Sequence, residues 1–223
     1  MANAPQLQIP KDLMELFRQF LGLRDLQFFL NETGSSVTPL HRQSLRQFAR
    51  QQLELWAQQS AKNMDPKDLQ DLANLAVVPE LKNFLISVSH CPEAGGVAFV
   101  ACDTNLSRSG LGLDIEPKNR VNERAVSRVS SPESSELLQS RSPGHLWTAK
   151  ESAFKSLHRL GQPKVISEVS IAWLMPGDHP GNSFWKFEYG VGSTTVGQGA
   201  VAEVGNLLCA IATPTLKTGA LSC

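Results

Sequence analysis

The chain has 223 residues, enough for one large domain or two intimately packed small ones. Its 21 basic and 21 acidic side chains balance, so no global field draws it to nucleic acid. A hydrophobic share of 41% supports a core, and Cys91, Cys102, Cys209 and Cys223 form no Cys-x-x-Cys pair, which argues against a metal–thiolate site and for a reduced, cytoplasmic protein. The first ten residues lack a basic-then-apolar leader pattern, and no apolar run is long enough to span a bilayer, so no membrane partner is expected.

The spacing of Leu13, Leu16, Phe17, Phe20 and Leu21 predicts a helix over 11–21, followed by a short strand over 25–30 and a loop over 31–36. A long helix is expected over 39–60, with Leu45, Phe48, Ala49, Leu53 and Trp56 inward. Its other side carries His41, Arg42, Arg46 and Arg50. Asp65-Pro66 caps a further short helix that reaches 76. Alternation then predicts a hairpin, with strands over 84–89 and 97–102 and a turn over 92–96; 103–109 is a link.

The next strand, over 110–117, alternates cleanly. Leu111, Leu113 and Ile115 point to one side and Gly112, Asp114 and Glu116 to the other, which describes a half-buried strand. Carboxylates two residues apart on a strand lie about 6–7 Å apart and repel by roughly 2–3 kcal/mol at an effective dielectric near 20. A positive group between them is therefore expected. A short helix over 122–129 follows within polar sequence.

A second helix runs through 146–157 and ends at Gly161-Gln162-Pro163. At about 100° per residue, Leu146, Ala149, Ala153, Phe154, Leu157 and Leu160 form one apolar arc. Glu151 and Lys155 form an i,i+4 pair on another side, whereas Lys150 falls inside the arc. Burying Lys150 requires that it reach an anion or that its stem snorkel to water. From the helix alone, an ordinary surface pair plus a snorkelling lysine is the favoured account. Strands over 165–174, 184–189, 194–204 and 207–212 form an antiparallel meander, and the chain frays after 216. Helices followed by antiparallel strands, twice over, give an α+β class.

Gly-x-Asp-x-Glu at 112–116, then Trp-Thr-x-Lys-Glu-Ser-x-x-Lys at 147–155, resembles the signature of the 4′-phosphopantetheinyl transferases, closest to the Sfp-type branch. The resemblance covers about 38–175. It implies two similar α+β halves related by pseudo-twofold symmetry, 1–104 and 105–223, with the active site in the cleft between them. The implied reaction moves 4′-phosphopantetheine from coenzyme A to a serine of an apo acyl or peptidyl carrier protein. A monomer is expected.

Asp114, Glu116 and Glu151 would supply an all-oxygen ligand set suited to Mg²⁺, with Mn²⁺ as the alternative, rather than Zn²⁺. Glu151 is the implied base and Lys155 the group for the leaving phosphate. Arg42, Ser89, His90, Asp114, Lys150 and Lys155 are the implied coenzyme A contacts. Glu133 is a further candidate base, although a glutamate behind Ser-Pro also serves as a helix N-terminal charge. Arg120, Arg124 and Arg128 recur every four residues and form a basic stripe for an acidic carrier protein, or a solvated helix face. The chain departs from the family pattern in a short Asp114–Trp147 span, in Val78-Pro79-Glu80-Leu81 where a Gly-Lys-Pro element is expected, and in Cys91 after His90. A non-catalytic binder of coenzyme A or carrier protein, and another Mg²⁺-dependent phosphotransferase, remain as alternatives.

Overall fold

The computed structural model describes residues 6–7, 9–32, 47–48, 51–52, 54–56, 84–101, 110–130, 142–173 and 184–215. The helix expected over 65–76, the link over 103–109, the tail, Arg42 and Glu133 lie outside these residues. The chain divides into two compact units, Met1–Ser107 and Arg108–Cys223, and the described parts are α+β with antiparallel sheets. Among the described residues no helix is long and apolar enough to cross a membrane.

In the first unit, strand β1 (Gln6–Leu7) leads to helix α1 (Lys11–Leu21) and strand β2 (Gln27–Glu32). Leu13, Met14, Phe17 and Leu21 recur at helical spacing and are the buried face of α1. Phe17 meets Phe28 of β2 edge-on at 6.5 Å, which fixes the helix on its sheet. Strands β3 (Phe84–His90) and β4 (Ala94–Ala101) complete a sheet ordered β1-β2-β4-β3. Residues 47–48, 51–52 and 54–56 are helical, and Trp56 packs against Phe99 of β4 at 5.3 Å.

The β3–β4 hairpin turns more tightly than the glycine-rich sequence predicts. Gly95 and Gly96 are already paired, opposite His90 and Ser89, and the Cys91 amide donates to the Ala94 carbonyl at 2.8 Å. The two glycines read as turn residues because they lack side chains, yet the ladder needs only their backbone.

The second unit opens with strand β5 (Gly112–Pro117) and the short helix α2 (Glu123–Ser127). Asn122 caps α2 by accepting from the Ala125 amide at 3.0 Å. Helix α3 (Pro143–Ser156) follows, started by proline in its first turn. A 3₁₀ turn (Ile166–Glu168) precedes strands β6 (Val169–Trp173), β7 (Phe184–Val191), β8 (Thr194–Val204) and β9 (Leu207–Pro214). The meander is closed by β5, giving the order β5-β9-β8-β7-β6.

Helix α3 packs its arc of Leu146, Ala149, Ala153 and Leu157 against Phe187, Tyr189, Val201, Leu208, Ala210 and Ala212. Leu160, expected in the same arc, lies past the end of the helix and is 38% exposed. Strand β5 is buried on both faces, not half-buried as its alternation suggests, because α3 covers the Gly112–Asp114 side. A Cβ on Gly110 would sit 1.7 Å from the Ser156 carbonyl oxygen, and one on Gly112 would sit 1.8 Å from that of Ser152. Helix backbone thus lies directly on strand backbone, a distance only glycine on the strand and small residues on the helix permit. Gly112→Ala would press on backbone atoms that cannot rotate away. It should lower stability by about 3 kcal/mol or more in urea unfolding, and a loss under about 1 kcal/mol would show that the helix can lift.

Candidate functional site

Close packing of α3 on β5 brings side chains far apart in sequence to one place. Asp114 and Glu116 project from the β5 face that meets the helix, and Glu151 and Lys155 come from the last turns of α3. Lys155 Nζ donates to Asp114 Oδ1 at 2.7 Å and to the Leu113 carbonyl at 3.2 Å. The Asp114 side chain is only 6% exposed. Glu116 Oε2 instead accepts from Arg120 Nη1 at 3.1 Å. The positive charge that the strand pattern demands is therefore supplied twice, once to each carboxylate.

Two cations do not quiet three carboxylates in a half-buried setting. Glu116 is pushed from 4.5 to about 7, first by burial and then by Asp114, against the pull of Arg120 and Lys155; Glu151 adds to the rise. Glu151 is also raised, again by burial first, with Lys155 opposing and Asp114 reinforcing. Glu116 thus feels Asp114 and Glu151, and Glu151 feels Asp114. That mutual pressure is the physical content of the cluster.

Lys150 behaves unlike Lys155. It is fully buried, and its Nζ donates to the Val169 carbonyl at the start of β6. The phosphate contact expected for it is not where its ammonium points. Burial with a carbonyl rather than an anion lowers its pKa to about 8. A neutralisable lysine is the third solution to burial, beyond pairing and snorkelling.

Ser89 and His90 lie at the end of β3 in the first unit, Ser89 buried and His90 half-buried. The arginine stripe does not form as one helical row. α2 covers only Glu123–Ser127, so Arg120 lies in the preceding turn and is drawn to Glu116, while Arg124 and Arg128 are exposed. The sequence places Arg120 in the docking stripe, whereas the structure pairs it with Glu116. Its four-residue spacing from Glu116 is the signal that points to it.

Among the described residues no group of three or more His, Cys, Asp or Glu side chains is arranged to hold a metal ion. In chemistry the set nevertheless fits a hard divalent cation. Its donors are all carboxylate oxygens, and two of them, on Glu116 and Glu151, hold protons more tightly than usual, first through burial and then through neighbouring acids. Lys155 Nζ holds Asp114 Oδ1. Compared with known proteins, the chain matches no family model and no curated protein.

Glu116 holds its proton more tightly when folded than when unfolded. Its contribution to stability is therefore full below 4.5 and is lost as pH rises through about 7. The ceiling on that loss is about 3 kcal/mol. Glu116→Gln should remove it, flattening the difference in urea midpoint between about pH 5 and about pH 8. Equal pH slopes in the parent and the variant would refute the strained carboxylate.

Proposed function

We propose that the protein is a 4′-phosphopantetheinyl transferase of the Sfp type, moving 4′-phosphopantetheine from coenzyme A to a serine of an apo acyl or peptidyl carrier protein and releasing adenosine 3′,5′-bisphosphate. The observation that carries the proposal is the convergence of Asp114, Glu116, Glu151 and Lys155, the residues of both signature halves, in one charged cluster. The proposal includes two halves related by pseudo-twofold symmetry with the coenzyme in the cleft between them. It also includes a reduced, cytoplasmic setting.

In this reading Asp114, Glu116 and Glu151 hold Mg²⁺, or Mn²⁺ in its place. When bound there, such an ion would supply charge neutralisation for the coenzyme diphosphate and the leaving phosphate. Glu151, whose proton affinity is raised by burial, takes the proton of the carrier serine hydroxyl. Lys155 leaves Asp114 and places its ammonium on the substrate phosphate, so one side chain compensates the carboxylate before binding and the leaving group after it. Ser89 and His90 take the 3′-phosphate, and Arg42 adds a guanidinium there. Exposed Arg124 and Arg128 meet the acidic helices of the carrier protein; Arg120 shares its charge between docking and Glu116.

The Lys155–Asp114 contact also favours a second reading, a protein of the same fold that binds coenzyme A or a carrier protein without turnover. Mass spectrometry of an apo carrier protein incubated with coenzyme A and Mg²⁺ separates the two. A gain of the phosphopantetheine mass supports transfer; binding of coenzyme A without that gain supports the second reading. Where transfer is seen, Glu151→Gln should slow it by about 10²-fold or more, and a near-parental rate would remove Glu151 as the base. Arg124→Ala with Arg128→Ala should raise KM for the carrier protein and spare coenzyme A affinity. Loss of coenzyme A binding instead would reassign these arginines.

A further inference from the structure

A polar chain lies outside the carboxylate cluster and links the two segments that carry it. Lys118, two residues beyond Glu116, bonds Glu203 Oε2 of β8 at 2.5 Å. The other oxygen, Glu203 Oε1, lies 3.4 Å from His145 Nε2 in the first turn of α3. The second ring nitrogen, Nδ1, is 2.7 Å from Ser142 Oγ at the helix start. The ring packs edge-on against Trp185 of β7, with centroids 4.3 Å apart. His145 is only 7% exposed, which is unusual for an imidazole that contacts a carboxylate.

The spacing along the chain gives this network its consequence. Lys118 is fixed to the end of β5 by its own amide, which donates to the Asn206 carbonyl at 3.0 Å. His145 lies six residues before Glu151 on a rigid helix. Glu203 touches both, so a single side chain on β8 ties the strand end behind Glu116 to the helix turn ahead of Glu151. Lys155, Ser152 and Ser156 bind the far end of α3 to β5. Without a tie at its first turn, the helix could pivot about that contact.

The geometry points to His145, Glu203 and Lys118 as a positioning relay that sets the placement of Glu151 relative to Asp114 and Glu116. None of the three touches the cluster; they act through the elements that carry it. The link to catalysis rests on the transferase reading, whereas the relay itself does not.

Hydrogen–deuterium exchange of the full chain tests the relay without any substrate. Glu203→Gln should speed exchange about tenfold in two separate segments, 118–120 and 144–148, and leave β7 unchanged. Lys118→Met should speed exchange in 144–148, because it removes the side-chain bond to Glu203 and leaves the Lys118 carbonyl beside Gly144 in place. His145→Gln, which keeps a donor aimed at Glu203, should restore protection that His145→Leu loses. A response confined to the substituted segment, a uniform rise across the unit, or equal behaviour of the Gln and Leu variants would each overturn the relay. In the transfer assay Glu203→Gln should lower kcat about tenfold with KM for coenzyme A unchanged. An unchanged kcat would overturn the positioning role, and a parent protein without transfer would strike the transferase reading while leaving the exchange result to decide the relay.

Discussion

The second unit depends on one contact between backbones, that of helix α3 with strand β5. Ser152 and Ser156 lie so close to Gly112 and Gly110 that a methyl group on either glycine would overlap a carbonyl oxygen. Packed cores ordinarily hold a helix off a sheet by the thickness of two side chains, with axes about 10 Å apart. Removing the side chains from one surface lowers the helix onto the strand. Lys155 can then reach both a carboxylate and a carbonyl of β5 while its neighbours still pack on the sheet.

That closeness also creates the electrostatic problem at the site. Bringing Glu151 down onto a strand that carries Asp114 and Glu116 gathers three acids where burial already disfavours their charge. The protein meets the strain with Lys155, Arg120 and a proton retained by Glu116 near neutrality. A site balanced in this way has something to exchange. Under the proposed function a divalent cation would replace the proton and a substrate phosphate would draw away the lysine.

Two lysines five residues apart on α3 show how much the local partner decides. Lys155 meets an aspartate at the edge of solvent and pairs with it at 2.7 Å. Lys150 meets a carbonyl in the interior, and its pKa drops to about 8. Hydropathy treats the two residues alike, and helical angle says only that they lie on different faces. Their chemistry diverges because one helix face meets β5 and the other meets the start of β6.

The sequence by itself determined the kinds of element and the identity of the acidic set. Periods of two and of about 3.6 are local steric facts, so the strand at 112–117, the arc of α3 and the β6–β9 meander were legible without contacts. What only tertiary structure decided were quantities that depend on neighbours remote in the chain. Burial of β5 on its second face required α3; Lys155 proved to bond Asp114 across to β5; Arg120, in the turn before the helix, proved to pair with Glu116. Gly110 and Gly112 carry the reason. As letters they mark only the absence of a side chain, and what that absence makes room for is fixed by the helix that arrives some forty residues later.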